Sequence, residues 1–512
     1  MRRYIALRAS GEIGPIETFG LAPWFSTGYE YRPDIDRKTK TTPMPKDQTA
    51  TPPTPECLDQ ILRCVEWRGR PGDEVTFTGA DPILPTNFRI GTAGAATLGA
   101  VGLAADAIHH LKTGRHQDIA VDHRAAAMAM RSNRHVRLDA ADTGEVWADI
   151  SGLYECGDGR WVQLHCNYPW LAQDILSVLD CAADRPSVDA ALKTWNAQDF
   201  EDAGKEKNLC AFMVRSPEEW AAHPQAAAVA GLPLMTIEKI GDAPARPLPA
   251  GDRPLSGIRA LELTRVLAGP VSGRTLAEHG AQVMRIGRAD RPDGVNLVQD
   301  TGLGKLAADL DLREDADRDR LDDLIRQSDV VTQGHRPGTL AARGLTPERL
   351  AGLRPGVVFV SLSAWGHVGP WNWRRGFDSL VQCAMGATWE NGDRTRPRHL
   401  PAQSYDYITG YLAAFGAMEG LRRRATEGGS WLIRLSLAQT GHWLNGLGRV
   451  GDETTKQGAE PTFDDVADLM ESHDTVWGPM GHLKPVVQMS ETPPRWDLPS
   501  VPLGTHPPVW PA

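Results

Sequence analysis

Strands and helices alternate regularly between residues 258 and 362, and no other feature of the sequence restricts the possible folds as strongly. Apolar runs predict four strands, at 258–263, 282–286, 329–332 and 357–362. Amphipathic runs predict three helices, at 271–279, 317–327 and 347–353. Strands and helices in alternation are typical of βαβ units, so this segment predicts an α/β fold with a parallel, Rossmann-like sheet.

The loops of this segment lack the usual nucleotide-binding sequences. No G-x-G-x-x-G follows the first strand, and Gly304-Lys305 has neither the earlier glycine nor the following Ser or Thr of a P-loop. Both absences argue against classical NAD or P-loop nucleotide binding.

Composition restricts the partners and the compartment of the chain. With 55 basic and 65 acidic residues, the formal net charge of -10 leaves no cationic excess for a nucleic acid. The longest apolar stretch, 93–111, carries Asp106, His109 and His110, so we expect no membrane span. The first fifteen residues lack the apolar core of a signal peptide, which favours a cytoplasmic location.

The cysteine and histidine patterns give no sign of a disulfide framework or a metal site. Seven cysteines are scattered over 512 residues, so we expect reduced thiols. Neither C-x-x-C nor H-E-x-x-H occurs, and no metal is therefore expected.

Changes in composition divide the chain into regions. Residues 1–88 are rich in Pro and Thr and predict an extended arm. Residues 151–248 predict a smaller α+β domain, with a hairpin around 156–161 and helices near 171–179 and 216–229. The proline-rich run 244–254 predicts a linker to a large domain at 254–450.

One helix and its following strand occur twice. Small-residue helices are predicted at 92–112 and 406–424, and the pairs Gly102/Gly416, Gly114/Gly428 and Ile119/Ile433 are each 314 residues apart. The same offset pairs Thr92 with Asp406. Residues 89–150 are therefore interpreted as a degenerate copy of the Asp406 helix region.

Four segments carry a resemblance to a known family. They are PLSGIRALELTRVLAGPVSGRTLAEHGAQVMRI (254–286), DVVTQGHRPGTLAARGL (329–345), VVFVSLSAWGHVGPWNWRRGFDSLVQCAMGA (357–387) and YDYITGYLAAFGAMEGLRRR (405–424). Together they resemble the family III CoA-transferases, the CaiB/BaiF group. The tail 451–512 looks like the closing, returning segment of that family.

The resemblance implies a fold, an assembly and a set of substrates. It implies a Rossmann-like large domain with a smaller α+β domain, here in a rearranged and partly duplicated order. Family members thread two chains through each other, so we expect a homodimer or an intramolecular pseudo-dimer in which 89–250 replaces the second subunit. The implied substrates are an acyl-CoA and a carboxylic acid, with coenzyme A as the group transferred and no metal.

The resemblance implies catalysis by one aspartate, which matches Asp406. A carboxylate can attack a thioester and form a covalent intermediate without a general base. Read from the residues alone, an Asp in the first turn of a helix is also a common N-cap.

The resemblance also implies residues that contact CoA. These candidates are Arg265, Leu267, Ala268, Arg288, Lys305, His335 and Arg336. Surface Arg and Lys are usually solvated, which is the alternative for each cation. The chain departs from the family at Gly287, where an acidic residue is usual, and at Gly334, where asparagine is common.

Gly376-Phe377-Asp378 bears on the choice of activity. Related α-methylacyl-CoA racemases carry a histidine where this chain has Phe377, which cannot transfer a proton. We therefore expect CoA transfer, with Asp378 as a hydrogen-bonding anchor. Two alternatives stay open, a decayed acyl-CoA-binding protein and an acyl-CoA racemase or isomerase.

Overall fold

A computed structural model describes residues 53–138, 141–142, 147–392 and 395–511. The chain divides into two units, of which the first, Met1–Thr49, lies outside the described residues. All that follows concerns the second unit.

The described residues form seventeen strands and sixteen α-helices. The strands are β1 (Val75–Thr78), β2 (Ile119–Asp122), β3 (Arg137–Leu138), β4 (Ala141–Asp142), β5 (Gly152–Glu155), β6 (Trp161–Leu164), β7 (Ala211–Met213), β8 (Thr236–Gly241), β9 (Arg259–Leu263), β10 (Gln282–Gly287), β11 (Lys305–Asp309), β12 (Val330–Gln333), β13 (Val358–Ser363), β14 (Ser430–Ser436), β15 (Met470–Thr475), β16 (Gly478–Leu483) and β17 (Gln488–Met489). The helices are α1 (Thr54–Arg63), α2 (Ile90–Thr113), α3 (His123–Ala129), α4 (Pro169–Leu179), α5 (Arg185–Leu192), α6 (Ala197–Glu206), α7 (Pro217–Ala221), α8 (Pro224–Ala230), α9 (Ala268–Glu278), α10 (Val295–Thr301), α11 (Asp315–Arg326), α12 (Pro347–Leu353), α13 (Asp378–Ala384), α14 (Ala387–Asn391), α15 (Ser404–Glu427) and α16 (Leu437–Gly446).

A seven-stranded sheet organises the second half of the chain. Its order is β11-β10-β9-β12-β13-β14-β8, and every pair is parallel except β14 with β8. Strands β12 and β13 are buried along their whole length, as expected of a parallel sheet covered on both faces. The predicted α/β fold with a Rossmann-like parallel sheet is confirmed.

The strand order reverses between β9 and β12. From β9 the chain runs outward through β10 and β11, and then returns to add β12, β13 and β14 on the other side. Ligands in open α/β sheets bind beyond the carboxyl ends of the strands at such a reversal. The loops after β9 and β12 are therefore the part of the fold best placed for a binding site.

A smaller antiparallel sheet, β5-β6-β7, lies in the segment before the proline-rich run. Its β5–β6 hairpin and α4 agree with the sequence prediction. The prediction of a single helix over 216–229 is wrong. Pro224 has no N–H to continue a helix, so it begins a second one, α8.

The prediction of an extended arm over 1–88 is wrong for its described part. Residues 53–88 contain α1 and β1, while residues 1–52 lie outside the described residues. The helix tolerates Pro55 because the first turn needs no N–H donor there. Its Cys57, Leu58, Ile61 and Leu62 are buried on one face.

The structure repeats a helix–strand–helix unit at the offset read from the sequence. Helices α2 and α15 both have 24 residues, and their first and last residues are 314 positions apart. Each is followed by a strand that pairs with an antiparallel partner, β2 with β17 and β14 with β8. In the two units a helix glycine packs on the strand isoleucine, at Gly102 on Ile119 and Gly416 on Ile433.

The apolar stretch 93–111, for which we expect no membrane span, lies in helix α2. By length and composition alone it is apolar enough to cross a membrane, because its many Ala and Gly residues outweigh Asp106 and the histidines. Every residue of its apolar window is buried in the protein, against α1, α3 and α15 among others. That burial is what the core helix of a folded domain shows.

Helix α15 approaches α9 closely at a glycine. A Cβ on Gly410 would lie 2.5 Å from the Ala268 carbonyl oxygen and 2.8 Å from the Val271 Cβ. Forcing a methyl group between the helices should cost about 1–3 kcal/mol, more than the helix propensity gained. We expect Gly410→Ala to lower the free energy of unfolding, as measured in urea.

Gly352→Ala is the matched control for this prediction. Gly352 lies near the end of α12 and is exposed, with open space at its Cβ position. The same change should there stabilise the protein by up to about 1 kcal/mol. Equal unfolding free energies for the two variants would contradict the close approach.

Candidate active site

The loops after β9 and β12 enclose a cavity of about 300 Å³, here called the Asp406 cavity. The first loop contributes Thr264, Arg265 and Val266, and the second Gly334, His335 and Arg336. Its far wall comes from the segment before the proline-rich run. The contributions from there are Tyr168, Trp170, Leu171 and Cys210.

Asp406 lies at the meeting point of two helix N-termini. It is the third residue of α15, and the backbone of Ala268, the first residue of α9, lies close enough to its carboxyl group to lower its pKa. The residue is 7% exposed. Burial and the neighbouring Asp378 raise its pKa well above the ordinary value, and the Ala268 amide partly offsets them. Its carboxylate is therefore more basic than one in water.

Asp378 anchors the start of α15. One carboxylate oxygen accepts hydrogen bonds from the backbone N–H groups of Tyr405, at 2.9 Å, and Asp406, at 3.1 Å. The other oxygen accepts from the Gln382 side-chain amide. Burial raises the pKa of Asp378 to about 7, although these hydrogen bonds favour the charged form. The hydrogen-bonding role predicted for Asp378 is present.

The other helix copy has the anchor without the aspartate. The Asp81 carboxylate accepts from the backbone N–H groups of Gly91, at 3.1 Å, and Thr92, at 2.7 Å, which lie 314 positions before Tyr405 and Asp406. Helix α15 has Gln403 at its N-cap and no side-chain cap hydrogen bond. The N-cap interpretation of Asp406 is therefore wrong, and starting the helix does not need its carboxylate.

The loop between β9 and α9 is held in a strained conformation. Val266 has φ of 70°, a left-handed value that is costly for a β-branched residue. Its N–H donates to Asp293 at 3.2 Å, and Arg265 Nε donates to the same carboxylate at 2.9 Å. Asp293 thus fixes the loop that brings the Ala268 amide to Asp406.

A second cavity, of about 150 Å³, also has Asp406 in its lining and is called the His165 cavity. Asp406, Val266 and Phe377 line both cavities. The His165 ring stacks on Phe377, with centroids 3.7 Å apart. The Asp406 carboxyl is accordingly open to two spaces.

A third cavity, of about 590 Å³, adjoins the Asp406 cavity and is called the arginine cavity. The two share Thr264, His335 and the cations Arg265, Arg336 and Arg375. The further cations that line it are Arg288, Arg291, Arg313 and Arg343. Among the described residues no carboxylate pairs with Arg291, Arg336 or Arg343, whereas Arg288 pairs with Asp290. The cavity can therefore attract an anion.

Most of the predicted CoA-binding residues come together here. Arg265, His335 and Arg336 line both the Asp406 and arginine cavities, Ala268 lines the former and Arg288 the latter. Leu267 lies instead in the His165 cavity, at the N-cap of α9. Gly287 and Gly334, where the chain departs from the family, also line these cavities and add no charge.

Lys305 is not brought to any of the three cavities. Its ammonium is 2% exposed, 2.6 Å from a Glu262 carboxylate oxygen and 2.6 Å from the Pro270 carbonyl oxygen. The prediction that Lys305 contacts CoA is therefore not supported by its position. Glu262, 43 residues earlier, neutralises the charge of Lys305 inside the sheet.

Sequence reasoning missed the cavity-lining residues that come before the proline-rich run. His165, Tyr168 and Trp170 lie more than 230 positions before Asp406 and carry no local motif. Arg291 and Arg343 were also missed, although a run of arginines after successive strands is a usable signal for an anionic ligand.

One group of three potential metal ligands occurs in the described part of the chain. The ligand atoms of Glu471, His473 and His482 lie within 4.8 Å of one another on the β15–β16 hairpin. None of the three lines a cavity that contains Asp406. A reaction centre without a metal stays a prediction.

Comparison with known proteins identifies the family of the chain. The model of CoA-transferase family III matches residues 75–246 and 255–464, so the chain belongs to that family of CoA-transferases. The interval between the two matches falls in the proline-rich run predicted as a linker. The order of the regions and their exact bounds stay predictions.

Individual relatives cover the chain to different extents. It is 31% identical over 441 residues to an acyl-CoA transferase of Gibberella moniliformis, covering 75% of this chain and 77% of that one. It is 30% identical over 198 residues to a succinyl-CoA–D-citramalate CoA-transferase of Chloroflexus aurantiacus, covering 36% and 49%. A solved CaiB/BaiF family protein of Brucella suis is 26% identical over 38% of this chain and 56% of its own, with a TM-score of 0.35.

Proposed function

We propose that this chain moves CoA from an acyl-CoA donor to a carboxylic acid acceptor, with Asp406 as the nucleophile. The proposal rests on the position of Asp406. This residue is buried and lines two cavities, and Asp378, not Asp406, accepts the hydrogen bonds from the first amides of α15. Once ionised, a desolvated carboxylate is more reactive than a solvated one, although its raised pKa reduces the fraction that is ionised at neutral pH.

The reaction balances without a general base. The Asp406 carboxylate attacks the thioester carbonyl, the C–S bond breaks, and CoA leaves as a thiolate beside a mixed anhydride. The thiolate then attacks the Asp406 carbonyl carbon, which releases the first carboxylate and leaves an aspartyl-CoA thioester. The acceptor carboxylate reverses these two steps, so a new acyl-CoA forms and Asp406 is restored.

Backbone groups near Asp406 suit the developing oxyanion. The N-terminus of α9 directs the Ala268 amide toward the Asp406 carboxyl. Gly269, Gly334 and Gly376 line the same cavity and allow a substrate to approach the backbone closely. Fixed N–H donors at the site of developing charge lower the barrier to acyl transfer.

The arginine cavity suits the phosphates of CoA. Its guanidinium groups can form charge-assisted hydrogen bonds with the diphosphate and the 3′-phosphate. Because it shares lining residues with the Asp406 cavity, a CoA bound there can extend its thioester toward Asp406. Arg265, Arg288, His335 and Arg336 keep their proposed role as CoA contacts, and Arg291 and Arg343 join them.

The residues that line the cavities favour the racemase alternative less than CoA transfer. Phe377 has no titratable group, and burial lowers the pKa of the neighbouring His165 to about 3. An imidazole so hard to protonate is a weak base for removing an α-proton. The decayed-enzyme alternative predicts acyl-CoA binding without turnover.

The proposal also extends to assembly and compartment. Residues before and after the proline-rich run line the Asp406 cavity within one chain, which supports an intramolecular pseudo-dimer over a homodimer that completes the site. The seven cysteines are all free, which fits a reducing compartment such as the cytoplasm.

Asp406→Asn should abolish CoA transfer, because an amide cannot form the anhydride. With acyl-CoA and hydroxylamine, the native protein should gain a hydroxamate at Asp406, detected by peptide mass spectrometry. Asp81→Asn is the matched control, since it changes the half-buried anchor of the other helix copy and leaves Asp406 intact. Normal turnover in Asp406→Asn would refute the nucleophile.

Arg291→Ala and Arg343→Ala should each raise KM for the CoA thioester about tenfold and leave kcat nearly unchanged. The physical reason is the loss of a phosphate contact that ground state and transition state share. Steady-state kinetics with CoA and 3′-dephospho-CoA thioesters check which phosphate is bound. The control is Arg320→Ala, on an exposed position of α11 outside the cavity; an equal effect there would contradict the assignment.

A solution mass near 55.8 kDa, with full transfer activity, is expected for the pseudo-dimer. Small-angle scattering and mass photometry at working enzyme concentration measure it. A mass near twice this value would favour chains that associate or interlock.

A further inference from the structure

Three potential metal ligands share one face of the β15–β16 hairpin. Glu471 and His473 are two residues apart on β15, so their side chains lie on the same side of the hairpin. His482 of β16 is paired directly with Glu471 and lies on that side as well. One ligand atom from each residue lies within 4.8 Å of the others. The hairpin therefore gathers two imidazoles and a carboxylate at one place.

The two histidines contact each other through their ring nitrogens. His473 Nδ1 lies 2.6 Å from His482 Nε2, and the ring planes are 3° apart. The other ring nitrogen of His482, Nδ1, lies 2.9 Å from the Leu483 carbonyl oxygen and donates to it, because a carbonyl oxygen only accepts. In the neutral ring, Nε2 is then unprotonated and directs its lone pair toward His473.

The hydrogen bond to Leu483 is of the kind that metal-ligating histidines make. A ligating imidazole usually donates its second ring N–H to a carboxylate or a backbone carbonyl, which fixes the tautomer and orients the lone pair. His482 is 0% exposed, and burial disfavours its protonated form. The fold thus holds this ring neutral and oriented, as a metal ligand has to be.

The ligand atoms and their exposure suit Zn²⁺. Imidazole nitrogen and carboxylate oxygen both bind zinc, whereas Mg²⁺ and Ca²⁺ prefer oxygen ligands alone. With bonds of about 2.0–2.1 Å, tetrahedral ligand atoms lie roughly 3.3 Å apart, so the two ring nitrogens need to separate by less than about 1 Å. Glu471 and His473 are only half-buried, and an ion can reach them from solvent.

We propose that Glu471, His473 and His482 bind a Zn²⁺ ion, with water as the fourth ligand. The site is separate from the proposed CoA transfer, because none of the three residues lines the Asp406, His165 or arginine cavity. It also lies beyond residue 464, where the match to the family model ends.

The surroundings of the site favour a stabilising role for the ion. Strand β16 pairs with β3, and the His482 ring packs edge-on against Trp496, with centroids 5.5 Å apart. The Trp496 indole N–H donates to the Arg274 carbonyl oxygen of α9 at 3.0 Å. Zinc bound at the hairpin therefore holds together residues that contact the core, and an ion that binds only the folded state stabilises that state.

Metal binding by the full chain tests the site. After treatment with a chelator and dialysis, the chain should bind Zn²⁺ at a ratio of one to one, with a dissociation constant of about 1 µM or tighter in titration calorimetry. Excess Zn²⁺ should raise the melting temperature by a few degrees, and Mg²⁺ should not bind. Absence of Zn²⁺ binding, as expected of a histidine pair that is only hydrogen-bonded, would overturn the proposal.

Variants locate the ion on the hairpin. Glu471→Gln and His473→Gln each remove one ligand at a half-buried position, and each should weaken Zn²⁺ binding by at least about tenfold, the loss that even an outer-shell contact can cause. His442→Gln, at an exposed histidine of α16, is the matched control and should bind Zn²⁺ as the native chain does. Equal Zn²⁺ affinity in all three variants, with native circular dichroism, would place the ion elsewhere and overturn the assignment.

Discussion

The hydrogen bonds from the first amides of α15 to the Asp378 carboxylate fix the geometry of the whole site. They hold the start of the helix, and with it Asp406, against the N-terminus of α9. The same contact places two carboxyl groups together in a buried space, so each raises the energy of the other's charged form. A structural anchor thereby also sets the basicity of the group beside it, and the two acids titrate as one pair.

The second copy of the helix separates these two roles. Asp81 anchors α2 through the same pair of backbone positions, yet Thr92 stands where Asp406 would be. The anchor is therefore present with or without the aspartate, because a helix end whose backbone N–H groups are buried and unsatisfied is costly in either case. The copy stabilises the fold, because α2 packs against α15 in the core.

Structural features that depend on the periodicity of the sequence, or on an exact offset between repeated residues, can be predicted from the sequence. Alternating strands and helices predicted the parallel sheet, and the 314-residue offset predicted that α2 and α15 are equivalent. Interactions between distant residues left no such signal: the pairing of β17 with β2 and of β8 with β14 depends on short strands far along the chain. The prediction that Lys305 contacts CoA lacks support for the same reason. Only the folded sheet shows that Glu262 neutralises its charge.

The distribution of charge connects the three cavities into one path. The chain is acidic overall, with a net charge of -10. Even so, the arginine cavity is lined by Arg291, Arg336 and Arg343, which no carboxylate of the described residues pairs with, while Asp378 and Asp406 line the His165 cavity. Local fields are set by neighbours within about a Debye length, roughly 8–10 Å, so the net charge does not oppose an anion here. In the proposed function, this gradient would orient a substrate with phosphates at one end and a neutral thioester at the other. Its reacting carbonyl would meet Asp406, and its multiply charged end would stay with the arginines, away from the acid pair that would repel it.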